Sequence, residues 1–254
     1  MIIYNKDKTQ YIDFDILDDI SHIGVKCSGG ADSTILLYMI IKHLMEYNKQ
    51  NVILSVLTLA HSLNKYNNSI VSSKILHWIL EHTKFKNFKT HHILYTEDPH
   101  SDSVEEQTKK IILNNQIDFV VSGNTANPLI YVKGLSDTAL PERNIDQPRF
   151  NGPAIDKDRY PGSMFYQPFR QIDKRFIIDM YKIYDVLELF DISKSCTSSD
   201  GICGECWWCK EREWSLEGSG MDPHAWIPLP EMTDDGFVCS ITGAHPQPKE
   251  KETQ

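Results

Sequence analysis

Short apolar runs alternate with longer amphipathic stretches over the first half of the chain. The apolar runs predict strands over four ranges: 22–27, 52–59, 92–95 and 117–121. The amphipathic stretches predict helices over three ranges: 32–48, 69–82 and 103–115. Strands that alternate with helices in this way are typical of βαβ units. We therefore expect an α/β fold in which a parallel sheet carries helices on both faces.

The second half of the chain is less regular. Five prolines interrupt the stretch 122–167, which predicts long loops without regular structure. Helical periodicity returns over 173–190, and a group of cysteines follows it. The pattern therefore predicts one more helix and then a small segment of different character.

Composition and charge exclude several classes of protein. The 254 residues are 41% hydrophobic and 24% charged, which rules out a mostly disordered chain. The formal net charge is −9, which argues against direct binding to a nucleic-acid backbone. No apolar run approaches a membrane span, and the charged N-terminus lacks a signal-peptide pattern. We therefore expect a cytoplasmic protein that does not contact a membrane.

A glycine-rich loop follows the first predicted strand. It contains the following residues: Ser28, Gly29, Gly30, Ala31, Asp32, Ser33 and Thr34. Its two glycines allow a tight turn, and successive N–H groups before a helix form a nest for phosphate. Because the Asp32 carboxylate would repel a bare phosphate, it predicts a bridging Mg²⁺. The alternative is a plain turn with Asp32 or Ser33 as the helix N-cap.

A group of four cysteines lies near residue 200: Cys196, Cys203, Cys206 and Cys209. Two C-x2-C steps allow one chain to wrap a single ion, and four thiolates in a tetrahedron are typical of structural zinc. We therefore predict a Zn²⁺ site that stabilises the fold. An iron–sulfur cluster and a redox dithiol built on Cys203 and Cys206 are the alternatives.

The string SGGADS in the glycine-rich loop resembles the SGGxDS signature of the PP-loop ATP pyrophosphatases. Neither a Walker A motif nor a GxGxxG fingerprint occurs in the chain. The resemblance implies a fold like that of the adenine nucleotide alpha-hydrolases. It also implies that ATP is cleaved between its α and β phosphates, so that the substrate is adenylated and pyrophosphate is released.

The loop and the cysteines together resemble the 7-cyano-7-deazaguanine synthases over about residues 20 to 215. The run from Cys203 to Cys209, with Arg212 behind it, matches the family's Cys-Gly-x-Cys-x-x-Cys motif and its following Arg. The resemblance implies that Lys174, at the start of the last helix, stabilises the charge on the pyrophosphate. It also implies that Gly123 and Asn124 contact adenine or ribose. The alternatives are a solvated surface lysine and a plain turn.

The reaction that the resemblance implies belongs to queuosine biosynthesis. It converts 7-carboxy-7-deazaguanine and ammonia to 7-cyano-7-deazaguanine through adenylated intermediates. The family's Gly-Tyr-Pro-Asp-Cys-Arg segment, which faces the deazapurine, has only Tyr160-Pro161-Gly162 as an echo in this chain.

The missing segment leaves other reactions open. They are ligation of an activated deazapurine to a macromolecular amine, sulfur transfer to nucleic acid, and sulfate-nucleotide reduction. A non-catalytic zinc-containing binding module and a homodimeric assembly also stay open.

The motifs divide the chain into three predicted regions. They are a PP-loop nucleotide-binding α/β domain over 1–190, a four-cysteine zinc-binding segment over 191–243, and a disordered tail over 244–254.

Overall fold

The fold is taken from a computed structural model of the chain. It describes residues 2–14, 16, 19–47, 49, 51–61, 68–96, 102–128, 135, 154–196 and 203–218. The predicted tail over 244–254 and much of the predicted loop region over 122–167 lie outside the described residues.

The described residues form eight strands and six helices. The strands are β1 (Ile2–Tyr4), β2 (Tyr11–Asp13), β3 (His22–Lys26), β4 (Ile53–His61), β5 (Phe88–Thr96), β6 (Phe119–Ser122), β7 (Ile155–Tyr160) and β8 (Ser163–Tyr166). The helices are α1 (Ala31–Glu46), α2 (Asn68–Thr83), α3 (Asp102–Asn114), α4 (Lys174–Ile183), α5 (Leu187–Ile192) and α6 (Trp207–Gly218). In the part of the chain that these elements cover, no helix has the length and apolar character needed to cross a membrane.

Six strands form one mixed sheet in the order β5-β4-β3-β6-β8-β7, and β1 and β2 form a separate antiparallel pair. The first five strands of the large sheet run parallel, whereas β7 pairs antiparallel with β8 at one edge. From β3 the chain builds β4 and β5 on one side and then returns to add β6 on the other. In open α/β sheets, ligands bind beyond the carboxyl ends of the strands where the order reverses in this way.

Two hydrophobic clusters lie on the two faces of the large sheet. The larger cluster joins Val56 of β4 to apolar residues of α1, α2, α4 and α5. The smaller cluster joins Leu57 of β4 and Val120 of β6 to Ile112 of α3. Successive residues of a strand point to opposite faces, which is why Val56 and Leu57 belong to different clusters. The predicted α/β fold, with a mostly parallel sheet and helices on both faces, is therefore confirmed.

The helix predicted over 173–190 is in fact two helices, α4 and α5. The backbone turns at Asp185, whose φ is 54°, and the helical hydrogen bonds stop there. The apolar pattern continues through the break because Val186 and Leu189 still pack into the larger cluster. Periodicity alone therefore did not reveal the turn.

The predicted irregular region 122–167 contains a β-hairpin, formed by β7 and β8. Strand β7 was missed because it is an edge strand of polar sequence, IDKDRY, whose central residues are exposed. Gly162 makes the turn with φ 75°. Strand β5 is also longer than predicted, since its residues before His92 are mostly polar and carry no alternating apolar signal.

A buried histidine on β5 makes the stability of the fold depend on pH. Nε2 of His91 lies 2.8 Å from Oγ1 of Thr58, which donates a hydrogen bond of 2.7 Å to the carbonyl of Cys27. Burial lowers the pKa of His91 to about 4, from an ordinary value of 6.5. The neutral ring therefore belongs to the folded state, whereas the unfolded chain protonates it below about pH 6.5.

We expect the free energy of unfolding to fall by about 2 kcal/mol between pH 7 and pH 5 because of His91 alone. The contribution is present above pH 6.5 and is lost as the pH falls toward 4, because the unfolded chain takes up the proton first. Urea unfolding of the wild type and of His91→Gln at both pH values measures it. The exposed His77 supplies the control His77→Gln, which should keep the wild-type pH dependence. An unchanged pH dependence in His91→Gln would contradict this assignment.

Candidate functional site

The glycine-rich loop connects the carboxyl end of β3 to the first turn of α1. Gly29 has φ 83°, and a Cβ atom built on it would lie 2.9 Å from the side chain of Val71. Oγ of Ser33 accepts a hydrogen bond from the Ser28 N–H (3.1 Å) and donates one to the Gly30 carbonyl (3.1 Å). These bonds fix the turn, and the first N–H groups of α1 have no acceptor within the helix. The loop thus has the shape of an anion-binding turn at a helix N-terminus.

The end of β6 packs directly against this loop. A Cβ atom built on Gly123 would lie 2.9 Å from the backbone oxygen of Asp32, so only glycine allows this approach. Oγ1 of Thr125 donates a hydrogen bond of 3.4 Å to Oδ2 of Asp32. The two neighbouring strand ends, β3 and β6, therefore build one site, as the reversal of strand order requires.

A buried lysine joins two carboxylates beside the loop. Nζ of Lys174 lies 2.6 Å from both carboxylate oxygens of Asp32 and 3.4 Å from Oε2 of Glu211. The side chain of Lys174 is 5% exposed and that of Glu211 is 1% exposed, whereas that of Asp32 is 19% exposed. Because a buried ammonium needs compensating charge, the two acids hold Lys174 in place. Asp32 is the member of this triad that reaches toward solvent.

The first turn of α4 fixes the backbone of Lys174. Asp173 is the N-cap, and its Oδ1 accepts a hydrogen bond of 3.0 Å from the Arg175 N–H and one of 3.1 Å from Nε2 of Gln10. Further along α4, the Tyr181 hydroxyl donates a hydrogen bond of 2.7 Å to the Ala31 carbonyl. Helix α4 is thus docked on the start of α1, which explains why Lys174 meets Asp32.

The four predicted metal ligands lie together. The sulfur atoms of Cys196, Cys203, Cys206 and Cys209 are all within 4.8 Å of one another, so the group could hold a metal ion. The sulfur of Cys203 lies 3.5 Å from that of Cys196 and 3.9 Å from that of Cys209. Hydrogen bonds from the backbone N–H groups of Cys206 and Glu205 lower the pKa of the Cys203 thiol to about 6. They favour the thiolate, which is the form that binds a metal.

The cysteine segment is also connected to the glycine-rich loop. The Lys194 N–H donates a hydrogen bond of 2.8 Å to the Gly29 carbonyl. Helix α6 starts within the cysteine group, and Arg212 donates hydrogen bonds to the carbonyls of Phe190 (2.9 Å) and Ser193 (3.2 Å) at the end of α5. One turn of α6 therefore carries both a predicted metal ligand, Cys209, and the carboxylate of Glu211.

A cavity of about 570 Å³ opens over the carboxyl ends of the strands. Eight of the residues predicted for the site line it: Ser28, Gly30, Ala31, Asp32, Ser33, Gly123, Asn124 and Lys174. Two other residues predicted for the nucleotide site, Gly29 and Thr34, do not line the cavity, and the Thr34 side chain is fully buried. The volume falls in the range of pockets for small molecules and cofactors.

Sequence reasoning missed several residues of the cavity. Glu211 lines it from the cysteine segment, and Lys26, Arg159 and Phe165 line its far side. An acidic residue two positions after a metal ligand gives no separate signal in sequence. Lys26, two positions before the loop, is a charged residue at the end of a buried strand, and that position was a usable signal.

Glu211→Gln should lower the free energy of unfolding by about 1–3 kcal/mol, because Lys174 then keeps only one of its two carboxylates. Urea unfolding measures the change, and metal analysis should find the metal content unaltered. Glu213 is exposed on the same helix, so Glu213→Gln should match the wild type. Equal stabilities of the two variants would show that Glu211 does not compensate the lysine.

The comparisons with known proteins are as follows. No family model matches the chain, and no curated protein matches it. Among solved structures, the chain is similar to the tRNA thiolase NcsA from Methanococcus maripaludis with its 4Fe-4S cluster, at 16% identity and a TM-score of 0.43. The match covers 69% of this chain and 60% of the thiolase chain, which is less than two thirds of its length.

The chain is also similar to two further solved structures. NMN synthetase from Francisella tularensis is 12% identical with a TM-score of 0.40, over 80% of this chain and 78% of that one. N,N'-diacetylchitobiose deacetylase from Pyrococcus horikoshii is 13% identical with a TM-score of 0.35, over 79% and 78%.

Proposed function

We propose that this chain is an enzyme of the PP-loop ATP pyrophosphatase type, which binds ATP at the glycine-rich loop and transfers AMP to an acceptor. The observation that carries the proposal is the triad of Asp32, Lys174 and Glu211 at the N-terminus of α1. It lies at the reversal of strand order and borders a cavity of about 570 Å³. Such a volume accommodates a nucleotide together with a small acceptor.

The residues of the loop have separate roles in this proposal. The first N–H groups of α1 and the Ser28 hydroxyl bind phosphate oxygens in this proposal, since Ser28 and the first residues of α1 line the cavity. Asp32 would hold Mg²⁺, which neutralises phosphate charge when it is bound. Lys174 keeps the Asp32 carboxylate in position, and its own positive charge favours the pyrophosphate leaving group. Gly123 and Asn124 border the nucleoside end of the site.

The proposed chemistry is adenylation of a carboxylate. A carboxylate oxygen of the acceptor attacks the α-phosphorus of ATP, and the bond to the bridging oxygen breaks to release pyrophosphate. Ammonia then displaces AMP from the acyl-adenylate and gives an amide. A second ATP adenylates the amide oxygen and releases a second pyrophosphate, and loss of AMP with two protons gives the nitrile. The acceptor that the resemblance suggests is 7-carboxy-7-deazaguanine, and the product is 7-cyano-7-deazaguanine.

We further propose that the cysteine group holds one Zn²⁺ with a structural role. Four thiolates bound to one zinc at about 2.3 Å stand about 3.8 Å from each other. The four sulfur atoms lie within 4.8 Å of one another, and two of their separations are 3.5 and 3.9 Å, which is close to this arrangement. A four-iron cluster spreads its cysteine sulfurs around a cube of irons and needs a wider set. With four protein ligands the ion has no open position, so it supplies folding energy and takes no part in the reaction.

Product analysis tests the proposed function. The purified protein is incubated with ATP, Mg²⁺, ammonia and 7-carboxy-7-deazaguanine, and the products are identified by mass spectrometry and phosphorus NMR. We expect AMP, pyrophosphate and the nitrile. Formation of ADP and orthophosphate instead would overturn the adenylation proposal. Pyrophosphate release without nitrile, together with a modified protein or nucleic acid, would keep the nucleotide chemistry and replace the acceptor by a macromolecule.

A further inference from the structure

The side of the cavity away from Lys174 carries a group of cations and aromatic rings that the proposed function does not use. It consists of Lys26, Arg159, Tyr160 and Phe165, and we name it the cationic wall. Lys26 is the last residue of β3, whereas the other three residues belong to the β7–β8 hairpin. Lys26, Arg159 and Phe165 line the same cavity as the glycine-rich loop.

Tyr160 holds the two cations of the wall close together. Its hydroxyl accepts a hydrogen bond of 2.5 Å from Nζ of Lys26 and one of 3.3 Å from Nε of Arg159. The Tyr160 side chain is fully buried, so the position of its hydroxyl is fixed by packing. The guanidinium carbon of Arg159 lies 4.8 Å from the centre of the Phe165 ring, and Nζ of Lys26 lies 5.6 Å from it. The wall is therefore a preorganised arrangement of two positive charges.

The charge of the wall is only partly balanced by the described residues around it. Arg159 pairs with Glu105 at 3.7 Å, but within the described ranges Lys26 forms no ion pair. In the same part of the chain, the hydrogen bond and the ion pair of Arg159 both involve Nε. The two terminal amino groups of the guanidinium are left for a ligand. Because both cations approach one phenol hydroxyl, their positive charges lie close together and attract an anion.

The wall and the phosphate-binding loop approach the cavity from different faces of the sheet. Cys27 belongs to the larger hydrophobic cluster, and the side chain of Lys26 points to the opposite face, where Phe165 belongs to the smaller cluster. Lys174 comes from α4, which packs on the face of the larger cluster. A nucleotide held by the loop and a second molecule held by the wall would thus meet at the carboxyl ends of β3 and β6.

We propose that the cationic wall binds the anionic group of the acceptor. The Arg159 guanidinium and the Lys26 ammonium donate hydrogen bonds to the oxygens of this anionic group. This inference rests on the proposed function, because it names where the acceptor of the adenylation is held. The ligand class is a small planar ring that bears a carboxylate. Arginine matches a carboxylate through two parallel hydrogen bonds, and its planar group stacks on aromatic rings. The wall would thereby take over the task of the substrate segment that the sequence lacks.

The anion that binds to the wall could also be a phosphate group of the nucleotide. Titration calorimetry distinguishes this phosphate from the acceptor carboxylate. Three ligands are compared: α,β-methylene-ATP, 7-carboxy-7-deazaguanine and uncharged 7-deazaguanine. The proteins are the full-length wild type, Lys26→Met, Arg159→Gln and their double variant. Lys157 is an exposed cation on the same strand that does not line the cavity, so Lys157→Gln is the matched control.

We expect the double variant to bind the carboxylate at least about tenfold more weakly, a loss of about 1.4 kcal/mol. Its binding of the uncharged ring and of the ATP analogue should stay within about twofold of the wild type. Lys157→Gln should match the wild type for all three ligands. Circular dichroism and the melting temperature verify that the variants are folded.

Three results would overturn the inference. The first is a double variant whose affinity for the ATP analogue falls as much as its affinity for the carboxylate. The second is a double variant that prefers the carboxylate over the uncharged ring as strongly as the wild type does. The third is a wild type that binds neither ring. The proposed function fails by a different result, which is a wild type that neither binds the ATP analogue nor releases pyrophosphate. The titration with 7-carboxy-7-deazaguanine tests the cationic wall whether or not the proposed function holds.

Discussion

Asp32→Ala is expected to reduce pyrophosphate release at least about 10³-fold, because it removes the only carboxylate of the triad that reaches toward solvent and the proposed nucleotide site. The variant should nevertheless fold. Lys174 keeps Glu211 as a counter-charge at 3.4 Å, so the buried ammonium is not left uncompensated. The effect should therefore fall on the turnover number, while the metal content of the cysteine group stays at the wild-type level.

The measurement is a coupled assay of pyrophosphate with metal analysis and thermal unfolding of the same samples. Asp102 offers a matched control, since it is an exposed acidic residue in the first turn of α3. Asp102→Ala should retain wild-type turnover, which excludes a general effect of losing an acid at a helix N-terminus. Turnover of Asp32→Ala within about tenfold of the wild type would mean that the loop does not direct ATP cleavage.

Cys206→Ser should destabilise the fold strongly. Loss of one of four thiolates weakens metal binding, and that binding energy is folding energy. We expect the free energy of unfolding to fall by at least about 3 kcal/mol, or about 6–12 °C in melting temperature. Because Glu211 lies on the same helix as Cys209, the change should also loosen the contact between Glu211 and Lys174.

Differential scanning calorimetry with metal analysis tests this expectation. Glu205→Gln alters an exposed residue between two ligands and should keep both the metal and the melting temperature. A strong chelator added to the wild type should reproduce the Cys206→Ser result. Loss of activity from a fully stable Cys206→Ser protein would refute the structural role of the metal. An absorption band near 400 nm in the wild type would show that the cysteine group holds an iron–sulfur cluster instead of zinc.

The strands and helices of the buried sheet could be predicted because their residues face the core on both sides. The apolar runs at β3, β4 and β6 are nearly continuous, and burial of both sheet faces requires such runs. The β7–β8 hairpin could not be predicted in the same way, because an edge strand is half exposed and its polar residues carry no periodic signal. The turn at Asp185 was hidden because apolar residues on both sides of it enter one core.

The candidate site likewise has features that could be predicted from the sequence and features that could not. The glycine-rich loop and the four cysteines were recognisable because each motif lies within one stretch of chain. The spacing of its residues along that stretch indicates which kind of ligand it could bind. The contact of Lys174 with Asp32 joins residues 142 positions apart, and the pairing of Lys26 with Tyr160 spans 134 positions. Nothing in local sequence specifies such contacts, because they depend on how α4 and the hairpin pack on the sheet.

The sequence by itself determined the class of fold, the loop after the first strand of the large sheet and the set of cysteines that could hold a metal ion. It did so because burial, backbone turns and metal ligation each leave a local pattern of residues. The tertiary structure alone decided that Glu211 completes the charge around Lys174 and that two cations gather at Tyr160 on the far side of the cavity. Those arrangements arise from the packing of distant elements, and packing brings together side chains that no sequence interval relates.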